Sequence, residues 1–324
     1  MISRERVRRA IDRTGPDRVP ILYFNADKEQ SDIILIDVVR HFAGADGLTS
    51  EWGFRWDKRD LTMGQPRERI IKKWDDWESF CPPDAFDKKR FEQVSAVKES
   101  YGKDRYYLAS LVLSGFTVMT FLRGFASTLE DFYINRALIE KLSDTIFTFE
   151  KNVIEQCADY GFDGVAFYDD WGTQTSLIIS PELWRHFFKP QYKRQFDLAR
   201  RKGLDVYFHS CGYIMDIIPD LIDIGVDMLN VSQPNLYDIQ ELGHNLGGTT
   251  CFVLPVSYQT TSISGTKEDI YEAVEKMVTH LGSYDGGLIG YVEAYESIGM
   301  SPENYSHCID AFKTLGCYDT TRRT

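Results

Sequence analysis

The sequence predicts an α/β protein of the (β/α)8 TIM-barrel class, with an N-terminal extension and an insertion near residues 52–91. Three observations support this. From about residue 100 onward, short apolar runs rich in β-branched and aromatic residues alternate with amphipathic stretches, which is typical of successive βα units. Glycine-containing helix ends recur at 161–164, 202–203 and 224–227. The first apolar run is not followed by the glycine-rich turn expected of an open doubly wound sheet.

The elements follow in order along the chain. An N-terminal helix ends near Gly15 and Pro16, and residues 19–24 form a first strand. Further strands are predicted at 106–113, 162–168, 204–208, 228–231, 251–256 and 287–292, with helices at 128–160, 181–202, 214–224 and 267–281. Residues 52–91 are rich in Trp, Asp, Lys and Pro, and are predicted to cover one face of the barrel with a polar hairpin at 63–66. Because no repeat or linker divides the chain, residues 1–324 are predicted to be a single domain.

Composition and charge exclude several classes of partner. The chain has 37 Lys plus Arg against 49 Asp plus Glu, a formal net charge of −12, which would repel nucleic acid and anionic membranes. No stretch approaches the roughly 18 apolar residues of a membrane helix, and the charged N-terminus lacks the apolar core of a signal peptide. The six cysteines are too dispersed for a disulfide framework. We therefore expect a cytoplasmic protein that binds neither nucleic acid nor membranes.

The residues that follow the strands are the candidates for chemistry, because a parallel barrel builds its active site where its strands end. His209 and Cys211 lie two residues apart, so a strand directs both to one face, and imidazole and thiolate are good Zn²⁺ ligands. Glu293 or Glu296, after the last strand, is the best-placed third ligand, and Asp169 is a further option. The alternative is a hydrogen-bonded histidine beside a buried thiol.

Asp169 and Asp170 are adjacent, so in extended backbone their side chains point to opposite sides and one of them faces the barrel mouth. A helix cap or a loop salt bridge is the alternative role for this pair. Aromatic residues near the strand ends are candidates for a flat apolar pocket, with core packing as the alternative. These are Tyr23, Phe24, Phe116, Phe121, Tyr168, Trp171, Tyr258 and Tyr291.

Several segments are similar to one known family. The segment 207–214 reads Tyr-Phe-His-Ser-Cys-Gly-Tyr-Ile, and with its continuation through 218–227 to Asn230 and Gln233-Pro234 it resembles the uroporphyrinogen decarboxylase-like superfamily. Further similarity lies at 53–57, 64–66, 73–77, 169–174, 179–184 and 265–269, so the resemblance covers residues 1–315. Within the superfamily, the chain is most similar to the cobalamin-dependent methyltransferases.

The chain departs from both branches of this superfamily at particular positions. Residues 23–28 lack the arginines with which the haem-pathway decarboxylases bind substrate carboxylates, and Phe121 stands where those enzymes have a catalytic tyrosine. Residues 291–300 contain no counterpart of their late histidine. His209 and Cys211 match the His-x-Cys pair of the zinc-thiol methyltransferases, but Glu293 and Glu296 stand where those proteins have a second cysteine.

The resemblance implies a (β/α)8 barrel that acts as a substrate:corrinoid methyltransferase. Such an enzyme would move a methyl group from a small methylated compound, expected to be an O-methyl compound of aromatic or other type, to the cobalt of a cobalamin carried by a partner corrinoid protein. We expect His209, Cys211 and Glu293 to bind zinc, with Glu296 as substitute for Glu293, and Asp169, His209 and Glu293 to be catalytic. The expected substrate-binding residues are Tyr23, Phe121, Asp170, Trp171 and Gln233.

Residues 52–91 and 291–300 are expected to form the docking surface for the corrinoid protein. Two other functions stay open at this point. One is a decarboxylase or lyase that acts on a small acid, and the other is a non-catalytic corrinoid- or metal-binding accessory protein. Association of two copies into a homodimer is also left open by the sequence.

Overall fold

The barrel predicted from the sequence is confirmed in the computed structural model, which describes residues 1–58 and 64–318. Eight parallel strands form a nearly closed barrel surrounded by helices. Each strand pairs with the next from β2 to β8, β8 pairs with β1, and the Asp32 N–H donates to the Ile21 carbonyl where β1 meets β2 (2.9 Å). The strands are β1 (Ile21–Phe24), β2 (Ile33–Asp37), β3 (Tyr106–Ser110), β4 (Gly164–Tyr168), β5 (Asp205–Ser210), β6 (Met228–Val231), β7 (Cys251–Pro255) and β8 (Leu288–Glu293).

The α-helices lie between and around these strands. They are α1 (Ser3–Asp12), α2 (Val94–Tyr101), α3 (Gly115–Arg123), α4 (Phe125–Ile134), α5 (Arg136–Cys157), α6 (Pro181–Phe187), α7 (Lys189–Arg201), α8 (Ile218–Ile224), α9 (Ile239–Leu246), α10 (Thr261–Ser264), α11 (Lys267–His280), α12 (Tyr295–Ile298) and α13 (Pro302–Leu315). Short 3₁₀ turns connect them at Lys28–Gln30, Trp74–Glu78, Lys88–Phe91, Ala158–Tyr160, Met215–Ile217 and Pro234–Leu236. No helix in the described ranges is both long and apolar enough to cross a membrane.

Some sequence-based boundaries were wrong. The predicted helices at 128–160 and 181–202 are each divided in two, because the backbone leaves the helical region at Asn135 and is distorted at Phe188, just before Lys189-Pro190. The strand predicted at 106–113 ends at Ser110, since Val112 has a positive φ of 62°. In the insertion, Trp56–Asp57 pairs antiparallel with Gln65–Pro66, as the predicted hairpin requires, while Met63 lies outside the described residues.

Side chains of the barrel strands alternate between two apolar layers, as the two-residue period of a strand requires. Residues such as Leu108, Ala166 and Tyr207 pack in the barrel interior, and their neighbours pack outward under the helices. The extension helix α1 contributes Val7, Ala10 and Ile11 to the interior cluster, so it fills the N-terminal end of the barrel. With that end packed by side chains, the C-terminal end is the one that can hold a ligand.

Candidate active site

A cavity of about 890 Å³ opens at the C-terminal end of the barrel. Barrel enzymes bind their substrates at this end, where loops follow the strands. Its lining includes residues from seven of the eight strands, or from the loops after them, among them Phe24, Asn25, Asp37, Ser110, Tyr168, Asp170, His209, Cys211, Ser232, Tyr291 and Glu293.

His209 and Cys211 reach this cavity through the alternation of β5. Tyr207 packs in the barrel interior, so His209 and Cys211, two and four residues later, are directed to the same side. The His209 Nε2 lies 3.6 Å from the Cys211 Sγ, and the Ser232 hydroxyl donates to that sulfur at 3.1 Å. The predicted pairing of these two side chains at one strand end is therefore present.

Asp170 is the carboxylate that joins them. On β4, Ala166 and Tyr168 pack in the interior, and continuing the same alternation brings Asp170 to the cavity. Its Oδ1 lies 3.5 Å from His209 Nε2 and accepts a hydrogen bond from the Cys211 N–H at 2.9 Å. Burial raises the pKa of Asp170, but the His209 imidazole and the Cys211 N–H outweigh burial and hold the pKa below its ordinary value.

Two glycines allow the loops after β4 and β5 to touch. The Gly172 N–H donates to the Cys211 carbonyl at 3.1 Å, and Gly212 has a φ of 77°. A Cβ on either glycine would overlap the backbone of the other. The Gln233 side chain fixes the same turn by accepting from the Gly212 N–H at 2.8 Å. This close approach is what brings the side chain of Asp170 beside Cys211.

Asn230 orients the imidazole. Its amide nitrogen donates to the Val253 carbonyl at 2.6 Å, so its oxygen faces His209 Nδ1 at 2.5 Å and accepts the Nδ1 proton. The other ring nitrogen, Nε2, then faces Cys211 and Asp170. Burial lowers the pKa of His209, but Cys211 and Asp170 outweigh it and raise the pKa well above its ordinary value. The hydrogen bond to Asn230 fixes the tautomer and orientation of the ring, as the outer partners of metal-binding histidines do.

The three donor groups fit a tetrahedral metal. Asp170, His209 and Cys211 offer ligand atoms that all lie within 4.8 Å of one another. A zinc ion with a Zn–S distance of about 2.3 Å and Zn–N and Zn–O distances of about 2.0–2.1 Å would separate its ligand atoms by about 3.3–3.6 Å. The observed separations from His209 Nε2 are 3.6 Å to sulfur and 3.5 Å to oxygen. Three protein ligands would leave a fourth position open, as in catalytic zinc sites.

Glu293, the expected third ligand, lines the cavity but is not part of this three-donor group. Its carboxylate accepts from the Tyr291 hydroxyl at 3.0 Å and from the Ser297 hydroxyl at 3.1 Å, and burial raises its pKa. Glu296, the expected substitute, is exposed on the helix that follows. The oxygen donor that the structure brings to His209 and Cys211 is Asp170, a residue expected from the sequence to bind substrate.

Asp169, expected to be catalytic, does not line the cavity. Its fully buried carboxylate accepts from the backbone N–H groups of Phe116 (2.9 Å) and Thr117 (2.8 Å), from the Thr117 hydroxyl (2.7 Å) and from the Tyr192 hydroxyl. Burial raises the pKa of Asp169 to about 7. Because neighbouring residues of extended backbone point to opposite sides, Asp169 points outward where Asp170 points to the cavity. Its carboxylate accepts from the N-terminal N–H groups of α3.

Two expected pocket residues, Trp171 and Phe121, do not line the cavity. Trp171 is fully buried, stacks on Phe116 with ring centroids 4.5 Å apart, and donates from its indole N–H to the Tyr192 hydroxyl at 3.1 Å. Phe121 packs its ring against Phe54 and Trp56, each at 5.5 Å.

Gln233, described above, supports a turn and is absent from the cavity lining. Tyr23 borders the cavity, but its ring packs in the outer layer, so the neighbouring Phe24 is the residue of β1 whose ring packs on the interior. On each strand, every second residue after an interior apolar residue points to the interior or to the cavity. Applied to the sequence, this rule selects Phe24 and Asp170.

Comparison with known proteins decides the family. Residues 62–315 match the family described as Uroporphyrinogen decarboxylase (URO-D). The chain belongs to this family. No curated protein matches the chain. The resemblance inferred from the sequence is therefore confirmed at the level of the uroporphyrinogen decarboxylase family.

Solved structures share this barrel at low sequence identity. A methyltransferase from Methanosarcina mazei is 14% identical, with a TM-score of 0.72 over 97% of this chain and 98% of that chain. A 3-keto-D-glucoside 4-epimerase from E. coli is 14% identical, with a TM-score of 0.44 over 69% and 84% of the two chains. A 2,3-dimethylmalate lyase is 11% identical, with a TM-score of 0.43 over 100% and 92%. At such identities the likeness to the methyltransferase establishes the fold, and the two weaker matches carry no argument.

Proposed function

We propose that this uroporphyrinogen decarboxylase family member is a zinc-assisted methyltransferase that moves a methyl group from a small methylated compound to the cobalt of a corrinoid on a partner protein. One observation carries the proposal: the nitrogen, sulfur and oxygen donors of His209, Cys211 and Asp170 converge beside a cavity of about 890 Å³. The methyltransferase-like fold over nearly the whole chain is consistent with it. An O-methyl donor remains the expectation from the sequence.

The roles of the chain's residues follow from their contacts. Asp170, His209 and Cys211 would hold the zinc, which when bound supplies Lewis-acid polarisation of the atom that carries the methyl group. Asn230 holds the imidazole so that Nε2 faces the metal position, and the Ser232 hydroxyl donates to the Cys211 sulfur. The rings that line the cavity would exclude water from the reacting methyl group.

The methyl acceptor would approach from the mouth. The barrel below the three donors is filled by interior side chains such as Leu108, Ala166 and Met228. A corrin ring is much broader than this packed interior, so it could reach the substrate only across the open cavity. A separate corrinoid protein that docks on the C-terminal face fits this requirement, and residues 52–91 and 291–300 stay its predicted docking surface.

The lining of the cavity argues against a polycarboxylate substrate. Lys28 and Lys58 are the cationic side chains among the described lining residues, and both are exposed. Carboxylates of a porphyrinogen would therefore be buried without cationic partners, at a cost of several kcal/mol (order of magnitude). This observation favours methyl transfer over decarboxylation of a multiply charged acid.

The proposal is tested by incubating the zinc-loaded protein anaerobically with cobalt(I) cobalamin and a panel of methylated compounds. We expect at least one donor to convert the cobalt(I) spectrum to that of methylcobalamin. The variants His209→Ala and Cys211→Ala should lose zinc and transfer together, whereas Cys81→Ala, at an exposed cysteine outside the cavity lining, should lose neither. Substrate turnover with release of CO₂ and no corrinoid would replace the proposal by the lyase alternative. Metal binding without transfer from any donor would favour the accessory protein.

A further inference from the structure

Outside the three-donor group the cavity is lined by Asp37 at the end of β2, by Glu293 at the end of β8, and by the exposed Glu296 at its rim. Asp37 and Glu293 are the two that end barrel strands. Neither forms an ion pair within the part of the chain that the structure describes. The Glu293 carboxylate is held by neutral donors: the Tyr291 and Ser297 hydroxyls and, at 3.4 Å, the Asn25 amide. Asp37 has the Ser110 hydroxyl as its neighbouring donor. Neutral groups are therefore the direct hydrogen-bond donors to both carboxyl groups, while the exposed Lys28 ammonium acts on Asp37 without forming an ion pair.

Aromatic rings lie beside these carboxylates. The ring of Phe24 stacks on Tyr291 with centroids 5.6 Å apart and lies 6.4 Å from the ring of Tyr168. The ring of Tyr258 lies 6.3 Å from that of Tyr291. Burial raises the pKa of Tyr168, and the charges of Asp37 and Glu293 raise it further, so both carboxylates act on the same ring. The cavity thus combines π faces with negative charge.

The proposed metal centre would bring no net positive charge to Asp37 and Glu293. A divalent ion held by the Asp170 carboxylate, the Cys211 thiolate and a neutral His209 imidazole makes an electrically neutral group. Burial raises the pKa of Asp37 and of Glu293, so a cation beside them would favour their ionised forms. The ammonium group of Lys28 acts on Asp37 but is exposed at the rim. Glu293 is half-buried, where an ionised carboxylate is costly without a cation, so a positively charged ligand would stabilise it.

We infer that the substrate of the proposed methyl transfer is a small methylated compound that carries an ammonium group, which lies against Phe24, Tyr168 and Tyr291 and is paired with Asp37 and Glu293. This inference rests on the proposed function and narrows its substrate class. Aromatic faces attract ammonium groups within about 6 Å of the ring centroid, and they do so most strongly when water is excluded. Nearby carboxylates add charge pairing that a neutral ligand of the same shape cannot obtain.

In such a compound, the transferred methyl group can be on nitrogen or on oxygen. If it is on a quaternary nitrogen, the C–N bond breaks with its electron pair on nitrogen and a neutral amine leaves. If it is on an ether oxygen, the C–O bond breaks with its pair on oxygen, which takes a proton from water. In both cases the cobalt(I) corrinoid of the partner supplies the electron pair of the new bond to carbon.

Calorimetry on the zinc-loaded protein tests the inference without any corrinoid. The probes are choline and choline methyl ether, their neutral carbon isosteres 3,3-dimethylbutan-1-ol and its methyl ether, and methoxyacetate. We expect each cation to bind at least tenfold more tightly than its isostere, and methoxyacetate to bind most weakly. Glu293→Gln and Asp37→Asn should each weaken cation binding about tenfold and change binding of the isosteres less than twofold. The control Glu303→Gln, on α13 and outside the cavity, should change neither.

Equal binding of cation and isostere by the wild type, or tighter binding of methoxyacetate, would overturn the inference. Circular dichroism and zinc content check that each variant is folded and loaded with zinc.

A methyl-transfer assay with the same compounds separates the cationic-substrate proposal from the methyltransferase proposal. Methyl transfer from a neutral or anionic donor alone would refute the cationic substrate while the methyltransferase stands. Selective cation binding with no transfer to cobalt would leave the charge preference intact and refute the methyltransferase. Product analysis with choline methyl ether distinguishes an O-methyl from an N-methyl donor.

Discussion

Replacing Asp169 should damage both stability and metal binding, although its side chain does not reach the cavity. Its Oδ1 accepts from the Thr117 N–H and hydroxyl, and its Oδ2 accepts from the Phe116 N–H and the Tyr192 hydroxyl. The Thr117 hydroxyl in turn accepts from the Asp170 N–H at 3.2 Å. Asp169 therefore ties the N-terminus of α3 to the backbone of the proposed ligand Asp170, and we expect it to be a positioning residue.

The loss in the free energy of unfolding follows from the four hydrogen-bond donors that lose Asp169 as their acceptor. Asp169→Ala leaves two N–H groups and two hydroxyls in a site with no access to solvent, and each buried unsatisfied donor costs about 1–3 kcal/mol. Because the hydroxyls can rotate to other acceptors, we expect a total loss of about 4 kcal/mol. Asp169→Asn keeps the side-chain shape and one acceptor oxygen, but its NH₂ group then faces a hydrogen-bond donor. We therefore expect it to lower the free energy of unfolding by about 1–3 kcal/mol.

Urea unfolding followed by circular dichroism measures these losses, and competition with a chromophoric chelator measures zinc affinity in the folded variants. Asp310→Asn, at an exposed position of α13, is the control and should stay within about 0.5 kcal/mol of the wild type. Asp169→Asn should also weaken zinc binding severalfold, which a purely structural cap would not do. A free energy of unfolding for Asp169→Ala within about 1 kcal/mol of the wild type would refute the reasoning.

Three further predictions concern neighbouring groups. Asn230→Ala frees the His209 ring and should lower zinc affinity about 10- to 100-fold in a chelator competition; unchanged affinity would contradict the orienting role. Gly172→Ala pushes a methyl group into the backbone of Gly212, so it should lower zinc content and stability together, and a variant with wild-type zinc content would argue against the loop contact. Burial raises the pKa of Glu150 to about 8, so the folded protein keeps a proton that the unfolded chain releases above about pH 4.3. The free energy of unfolding should therefore fall as pH rises from about 5 to 8, by at most about 1.4 kcal/mol per pH unit from this group, and Glu150→Gln should flatten that slope.

The fold could be predicted because seven of the eight strands are recognisable as apolar runs, which are typical of a sheet covered on both faces. The missing strand was β2 (Ile33–Asp37). It follows β1 after eight residues that contain only a 3₁₀ turn, Lys28–Gln30, in place of the long helix that a βα unit normally places between strands. A search for alternating strands and long helices therefore passes over its apolar run Ile33-Ile34-Leu35-Ile36.

The metal ligands could be predicted only in part, because the sequence does not give the register between strands. Tyr168 pairs with His209, so Asp170 stands level with Cys211 on the neighbouring strand. Glu293 ends β8, three strands farther around the sheet from β5, and pairs with Phe24. His209 and Cys211 were found from their own spacing, whereas choosing between Asp170 and Glu293 required strand order and register.

The first coordination shell of the metal tests the central claim most directly. X-ray absorption at the zinc edge, on protein purified with zinc, should show about one zinc per chain, with one sulfur at about 2.3 Å and nitrogen or oxygen neighbours at about 2.0–2.1 Å. The sulfur contribution should disappear in Cys211→Ser, and Asp170→Ala should lower zinc occupancy more than Glu293→Ala. Protein without stoichiometric zinc, or a zinc shell that lacks sulfur in the wild type, would contradict the three-donor centre on which the proposed methyl transfer depends.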